Sequence, residues 1–337
     1  MPTAEQPRAV FAMDPVHLPL LFPPPLMERL RQSARIDPSL VVRDFADPAT
    51  APALAQAEVL ITGWGCPRLD DAVLAAAPRL RAVLHAAGSV RSLVGDALWQ
   101  RGVTVSSAVA ANARPVAEYT LAMILLAGKD VLGHRDRFRA THLPPSPAET
   151  AGIGNVGRRV GVIGASRVGR RLLELLRPFE FAVSLYDPYV DSVEAGALGA
   201  RSRTLEDLLR GSDIVSLHAP DIPETHHMLD RAGLALIPDG GVLINTSRGA
   251  LVDHDALTDE LVSGRIRAVL DVTEPEPLPA DSPLYGLPNV FLTPHIAGSL
   301  GNELERLGRT AVEELERLVA GVPPVCEVRR GDLARVA

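Results

Sequence analysis

The chain has 337 residues, which predicts two domains, each large enough to bury its own core. Hydrophobic residues make up 47% and charged residues 22%, with Pro and Gly scattered, so the chain is globular rather than disordered or fibrous. A net charge of -7 and a pI near 5.7 exclude the electrostatic footprint of a nucleic-acid or anionic-membrane binder.

Cys66 and Cys326 are too few and too far apart for a disulfide framework or a four-ligand zinc site, which points to a reducing compartment. The first residues, MPTAEQPRAVFAMD, lack a basic segment followed by an apolar one. The most apolar later stretch, LAMILLA at 121–127, is far below the ~20 residues of a membrane span, so a cytoplasmic protein is expected. Of the 34 basic residues only Lys129 is a lysine. It sits in AGKDV, without the GxxxxGK[ST] pattern of a phosphate loop, and is the one candidate for Schiff-base chemistry.

In chain order, short apolar runs alternate with amphipathic stretches: RAVFAM, EVLITGW, RAVLHA and GVTVSS, then RVGVIG, FAVSLYD, DIVSLHAP, GVLINTS, RAVLDV and NVFLTPH. Strands of that length between helices predict βαβ units and an α/β fold with parallel sheets buried on both faces. Between the two groups, Val116, Tyr119, Ala122, Met123 and Leu126 recur at helical spacing and predict a linking helix over 115–129, with Asn112 as its N-cap. The polar, proline-broken stretch 134–152 reads as a loop between domains or layers, and 300–320 as a further helix with a solvated, charge-interleaved face.

GIGNVG at 152–157 satisfies GxGxxG literally but precedes a strand. The dinucleotide fingerprint needs the reverse context, a strand entering a tight glycine turn that opens a helix and so aims backbone N–H groups and the helix dipole at a pyrophosphate. RVGVIGASRVGRRLLELL supplies that context with Gly164, Ser166 and Gly169, a serine standing at the middle position. Ser166 is expected to point away from, or donate to, a phosphate oxygen. Asp187, closing the next strand 18 residues beyond Gly169, is placed to accept the adenosine ribose hydroxyls and to repel a 2′-phosphate, which favours NAD over NADP.

Three polar residues fall at later strand ends: Arg248 in INTSRGALVD, Glu276 in LDVTEPEPL and His295 in LTPHIAGS. Strand C-termini of an open α/β sheet share one crevice, so these can converge. His295 offers a proton donor and acceptor near neutral pH, Glu276 can orient and stabilise its imidazolium, and Arg248 presents a planar fork for a carboxylate. Such a set suits interconversion of a 2-keto acid and a 2-hydroxy acid.

The blocks NARPVAEYTLAMIL, VGVIGASRVG, DIVSLHAPDIPETHHMLD, GGVLINTSRGALVD, AVLDVTEPEPLP and NVFLTPHIAGS occur in that order and resemble the D-isomer-specific 2-hydroxyacid dehydrogenase family. The resemblance implies two Rossmann-like doubly wound parallel-sheet domains with a cleft between them: a discontinuous substrate domain, 1–112 plus 297–337, and an NAD-binding domain, 113–296. It implies Arg248, Glu276 and His295 as the catalytic trio. Further cofactor contacts fall on Arg167, Val168, Ala219, Pro220, the Thr246–Ser247 pair, Asp271 near the nicotinamide carboxamide, and Gly298. His218, where the family lines the adenine cleft, belongs to the same stretch and is read as structural. A homodimer through the cofactor domain is also implied, as is a small keto or hydroxy acid as the other partner.

The first hundred residues match more loosely. By position the carboxylate-cradling loop is HAAGSVRSL, with Gly88, Ser89 and Val90 giving N–H groups, but the family's GxDNID-like continuation is absent. Arg91 is a candidate second anion contact and Trp64 a candidate pocket wall. The adjacent His226 and His227 are read as no metal site, because neighbouring side chains on a helix or strand point apart. Two alternatives keep the fold: an NAD-sensing corepressor-like protein and a phosphite-type dehydrogenase. Pairing Glu276 with His295 disfavours a formate-type enzyme.

Overall fold

The computed structural model describes residues 6–333 and contains two compact units, one running to Asn112 and resuming at Ser299, the other Ala113–Gly298. The first holds a five-stranded parallel sheet of β1 (Arg8–Ala12), β2 (Arg35–Val42), β3 (Val59–Thr62), β4 (Ala82–His85) and β5 (Thr104–Ser107), in the order β2-β1-β3-β4-β5. The second holds a seven-stranded parallel sheet of β6 (Arg159–Ile163), β7 (Ala182–Tyr186), β8 (Arg201–Ser202), β9 (Ile214–Leu217), β10 (Val242–Asn245), β11 (Arg267–Leu270) and β12 (Val290–Leu292), ordered β12-β11-β10-β9-β6-β7-β8. This is the α/β, doubly wound architecture expected. All ten strands anticipated from the apolar runs form.

Both faces of each sheet are covered, which is why the strands read as unbroken apolar runs. In the seven-stranded sheet Val215, Leu243 and Leu270 pack into one core, and their neighbours Ile214, Val242, Ile244 and Val269 into the other. In the five-stranded sheet Phe11, Ile61 and Leu84 face one layer while Val10, Leu60 and Val83 face the opposite one. The main helices are α1 (Pro24–Ser33), α2 (Val109–Gly128), α3 (Val131–Thr141), α4 (Arg167–Leu176), α5 (His254–Val262) and α6 (Leu304–Val319). Helix α6 buries Leu307, Ala311, Val312 and Leu315 with Leu26 and Leu30 of α1, so one side of it is core and only the other is solvated.

Two strands lie outside the ten apolar runs, and two expectations differ from the structure. Strand β2 was hidden by Pro38, which reads as a break; it is tolerated because β2 is an edge strand whose register slips between Ala9 and Phe11 of β1. The two-residue β8 is too short to announce itself. Helix α2 begins six residues early, since the Ser107 hydroxyl accepts from Val109 N at 3.2 Å; Asn112 therefore lies inside the helix, and its Oδ1 accepts from Ser299 N at 2.9 Å. The supposed loop 134–152 is largely helical: α3 continues to Thr141, since HRDRFRAT contains no breaker, and Pro147–Thr150 forms another turn. The whole stretch belongs to one unit, not to a link between two.

Candidate active site

In the seven-stranded sheet the strand order reverses between β6 and β9, the switch point at which open α/β sheets hold ligands. The chain leaves β6 through Gly164 at φ +95°, and a Cβ there would lie 2.6 Å from Ala219 N and 2.7 Å from the His218 carbonyl carbon. At Gly169 a Cβ would come within 2.0 Å of Gly164 O, so α4 can seat on the turn only with glycine. GIGNVG instead lies in the irregular segment before β6.

Ser166 is the N-cap of α4. Its hydroxyl accepts from Gly169 N at 3.3 Å, so it serves the helix itself and leaves the first-turn amides of Arg167 and Val168 for an anion. Asp187, half-buried after β7, accepts from Ala165 N at 2.7 Å and from Tyr189 N at 2.8 Å, which fixes its carboxylate beside the glycine turn with lone pairs to spare. The His218 ring is enclosed, paired through Nε2 with Ser216 Oγ at 2.8 Å, and burial pushes its pKa down to about 3; its side chain is structural. A dinucleotide fits this turn: the glycines supply close backbone approach, the helix start supplies N–H groups, and Asp187 supplies the acceptor.

Strands β10, β11 and β12 are neighbours in register, so Arg248, Glu276 and His295 all leave the same edge of the sheet. Asp271, ending β11 and 2% exposed, organises that edge. Its carboxylate accepts from Thr293 Oγ1 at 2.6 Å, Ile296 N at 2.8 Å and Ala297 N at 2.9 Å, and its carbonyl accepts from His295 N at 2.9 Å. Tyr119 hydrogen-bonds Thr293 Oγ1 at 2.9 Å and extends the network to α2. These bonds hold His295 at φ +54°, a left-handed conformation that costs a non-glycine residue of order 1 kcal/mol or more. The result is His295 Nδ1 at 2.7 Å from Glu276 Oε1, both side chains nearly half exposed. Asp271 thus orients the loop and has its oxygens engaged by its own chain. In the sequence Tyr119 marks only a helix face and Thr293 carries no signal, since a hydroxyl network has no spacing signature.

Arg248 does not touch this pair. Its Nη1 donates to the Ser247 carbonyl at 2.6 Å, and Asn245 Nδ2 donates to its own carbonyl at 2.8 Å. Its loop is pressed against the one bearing Glu276, since a Cβ on Gly249 would lie 2.1 Å from Thr273 O. Thr246 is buried on Thr120 Oγ1 at 2.9 Å, Ser247 Oγ donates to Ala219 O at 3.1 Å, Ala219 itself is buried, and Pro220 and Gly298 are part-exposed.

In the other unit the loop after β4 carries Gly88, Ser89 and Val90, whose amide N–H groups donate to no group of the chain among the described residues. The Ser107 hydroxyl donates to the carbonyls of Ala87 and Gly88, which directs the Gly88 and Ser89 N–H groups of those trans peptides away from Ser107. Arg91 is exposed, its amide held by Ser89 Oγ at 3.3 Å. Trp64, after β3, is 36% exposed with its ring 5.4 Å from that of His17, so it is a surface wall and not a core residue. Burial pushes the Cys66 thiol up to about 12.

His226 and His227 do not point apart: their rings stack at 3.9 Å and 20°. They lie in a turn, with His227 at φ +49°, where the alternation of a strand or helix does not apply.

Comparison with known proteins places these features in context. The family pattern described as D-isomer specific 2-hydroxyacid dehydrogenase, NAD binding domain, matches residues 121–297. The chain is 36% identical over 266 residues to D-3-phosphoglycerate dehydrogenase of Mycobacterium tuberculosis, covering 78% of this chain but 50% of that enzyme, so it spans about half the length of that curated relative. It is 34% identical over 294 residues to glyoxylate/hydroxypyruvate reductase B of Pectobacterium atrosepticum, covering 86% of this chain and 91% of the relative. The crystal structure of D-lactate dehydrogenase from Aquifex aeolicus, complexed with NAD and lactic acid, superposes with a TM-score of 0.73 at 27% identity, over 93% of this chain and 96% of that one.

Proposed function

Because the chain belongs to the D-isomer specific 2-hydroxyacid dehydrogenase family, we propose that it is an NAD-dependent oxidoreductase interconverting a 2-keto acid and the D-2-hydroxy acid. The observation that carries this reading is the 2.7 Å contact of His295 Nδ1 with Glu276 Oε1 at the sheet edge of the dinucleotide-binding unit. The cofactor, when bound, supplies or accepts the hydride. In reduction His295 gives the proton on Nε2 to the substrate carbonyl oxygen, and in oxidation it takes that proton back. Glu276 accepts from Nδ1–H throughout, which fixes the ring orientation and stabilises the imidazolium. Arg248 binds the substrate carboxylate through its fork once it leaves the Ser247 carbonyl. The open amides of Gly88, Ser89 and Val90 form a second anion cradle, with Trp64 and Arg91 shaping substrate choice.

The unit 113–298 takes the cofactor through Gly164, Ser166–Gly169 and Asp187, and the unit carrying residues 88–91 takes the substrate. Asp187 favours NAD over NADP, since its fixed carboxylate repels a 2′-phosphate. We assign a homodimer to a groove of about 380 Å³ on the 113–298 unit, lined by Met123, Leu126, Val131, Val269 and Phe291. Sedimentation at micromolar concentration tests that assignment. The chain's two cysteines, too few for a disulfide framework, support a cytoplasmic location.

NADH and NADPH oxidation with glyoxylate, pyruvate, hydroxypyruvate, phenylpyruvate and phosphorylated or dicarboxylic keto acids tests the activity. Turnover with at least one keto acid, faster with NADH, is expected. Turnover of phosphite alone, or cofactor binding with no turnover, would overturn it.

A further inference from the structure

The stacked pair His226–His227 takes no part in the proposed chemistry, yet it stands beside a carboxylate. We propose that His226, His227 and Glu274 form a binding site for a divalent transition-metal ion of the zinc class. One ligand atom from each of the three lies within 4.8 Å of the others. His227 Nε2 is already 3.4 Å from Glu274 Oε2, close to the roughly 3.3–3.5 Å edge of a tetrahedron of zinc ligands bonded at about 2.0–2.2 Å. The side chains of His227 and Glu274 are 41% and 44% exposed, so an ion and the waters that complete its shell can reach them. Two imidazoles with one carboxylate suit zinc, nickel or copper and not magnesium or calcium, which take oxygen sets.

The local backbone is built to present these groups. Thr225 closes a tight turn with Ile222, accepting from its amide at 3.1 Å, and His227 N donates to Ala250 O at 2.8 Å, holding His227 at φ +49°. A non-glycine residue kept in that region by its surroundings is a feature that clusters at ligand sites. A further imidazole stands in the same neighbourhood. His254, the first residue of α5, has both ring nitrogens shut from solvent and without a partner, and Glu274 and His227 are among the charges that act on it. An unpaired buried nitrogen is costly. An ion on this cluster ties the 222–228 turn to the loop that carries Glu274 and, two residues on, Glu276.

Zinc titration calorimetry on the chelator-treated full chain decides the matter, and it does not depend on the enzymatic reading. One zinc per chain is expected. His226→Ala and Glu274→Gln should each weaken binding by about 100-fold or more, beyond the roughly 10–100-fold cost of losing a group outside the ligand set. Zinc should raise the melting temperature of the parent and leave that of the double variant unchanged. Both positions are at the surface, and a metal-free melting curve matching the parent confirms that the variants fold. Absence of one-to-one binding, or equal binding by the double variant, would overturn the site.

Discussion

At the end of β6 the chain turns on Gly164 and the next elements close in until no side chain fits; at the end of β1, the first strand of the other sheet, it runs into the fully buried Met13 and the space is filled by side chains. Both sheets reverse strand order beside that first strand, so each has a switch point of the kind at which open α/β sheets hold ligands. One crevice is made by backbone approach, with Asp187 and Asp271 receiving main-chain amides. The strand ends of the other sheet are instead filled by side-chain pairs: Trp64 on His17, Thr62 Oγ1 at 2.9 Å from His85 Nδ1, and Ser107 on the 87–88 carbonyls. Backbone approach demands particular residue types at fixed spacing. Side-chain filling accepts many combinations, and so leaves a weaker trace in the sequence.

The largest expected effect lies in the first kind of crevice. His295→Asn should lower kcat by about 10²–10⁴-fold with little change in KM, measured with the best keto acid from the panel. Next, Gly164→Ala should destabilise by about 3 kcal/mol or more in urea melts, through overpacking and a strained φ together. Gly63→Ala, in the other sheet, adds a Cβ in ordinary 3.4 Å contact and should cost less than about 1 kcal/mol. Equal losses at the two glycines would break the contrast.

A pH series tests a feature the two units share. Burial lowers His85 to about 4 and His218 to about 3, so both rings are neutral when folded and take protons near pH 6.5 once unfolded. The unfolded chain therefore binds more protons below pH 6.5. Stability should be full above that value and fall as the pH drops toward 4, by up to about 3 kcal/mol per ring. His85→Gln and His218→Gln should each flatten the slope of urea stability between pH 7 and 4.5. The smallest effect is expected at Ser166→Gly: glycine at an N-cap costs only a few tenths of a kcal/mol, so NADH affinity by fluorescence should change less than about three-fold. A large loss would mean that the hydroxyl itself holds the phosphate.

Much of the 113–298 unit was legible because its constraints are local. The strand, Gly164, Gly169 and Asp187 lie within one βαβ segment, and only their order and spacing had to be read. The SRGA, EPEP and TPHIAG blocks marked strand ends whose shared edge follows from parallel topology. The 134–152 stretch was misread because charge and terminal prolines outweighed helix-forming residues in between, and β2 because Pro38 is a break everywhere except at an edge.

By itself the sequence determined the α/β class, the positions of ten strands, the glycine turn and the residue types at the strand ends, since these depend on periodicity and on steric demands within a few residues. Tertiary structure decided which of those groups meet. It set His295 on Glu276, made Asp271 and Thr293 the brace of that loop, held the Ala87 and Gly88 carbonyls on Ser107, and placed the stacked His226 and His227 beside Glu274. Apart from the stack of the two neighbouring histidines, each of these rests on hydrogen bonds or packing between segments remote in the chain, and such contacts carry no period for a sequence to display.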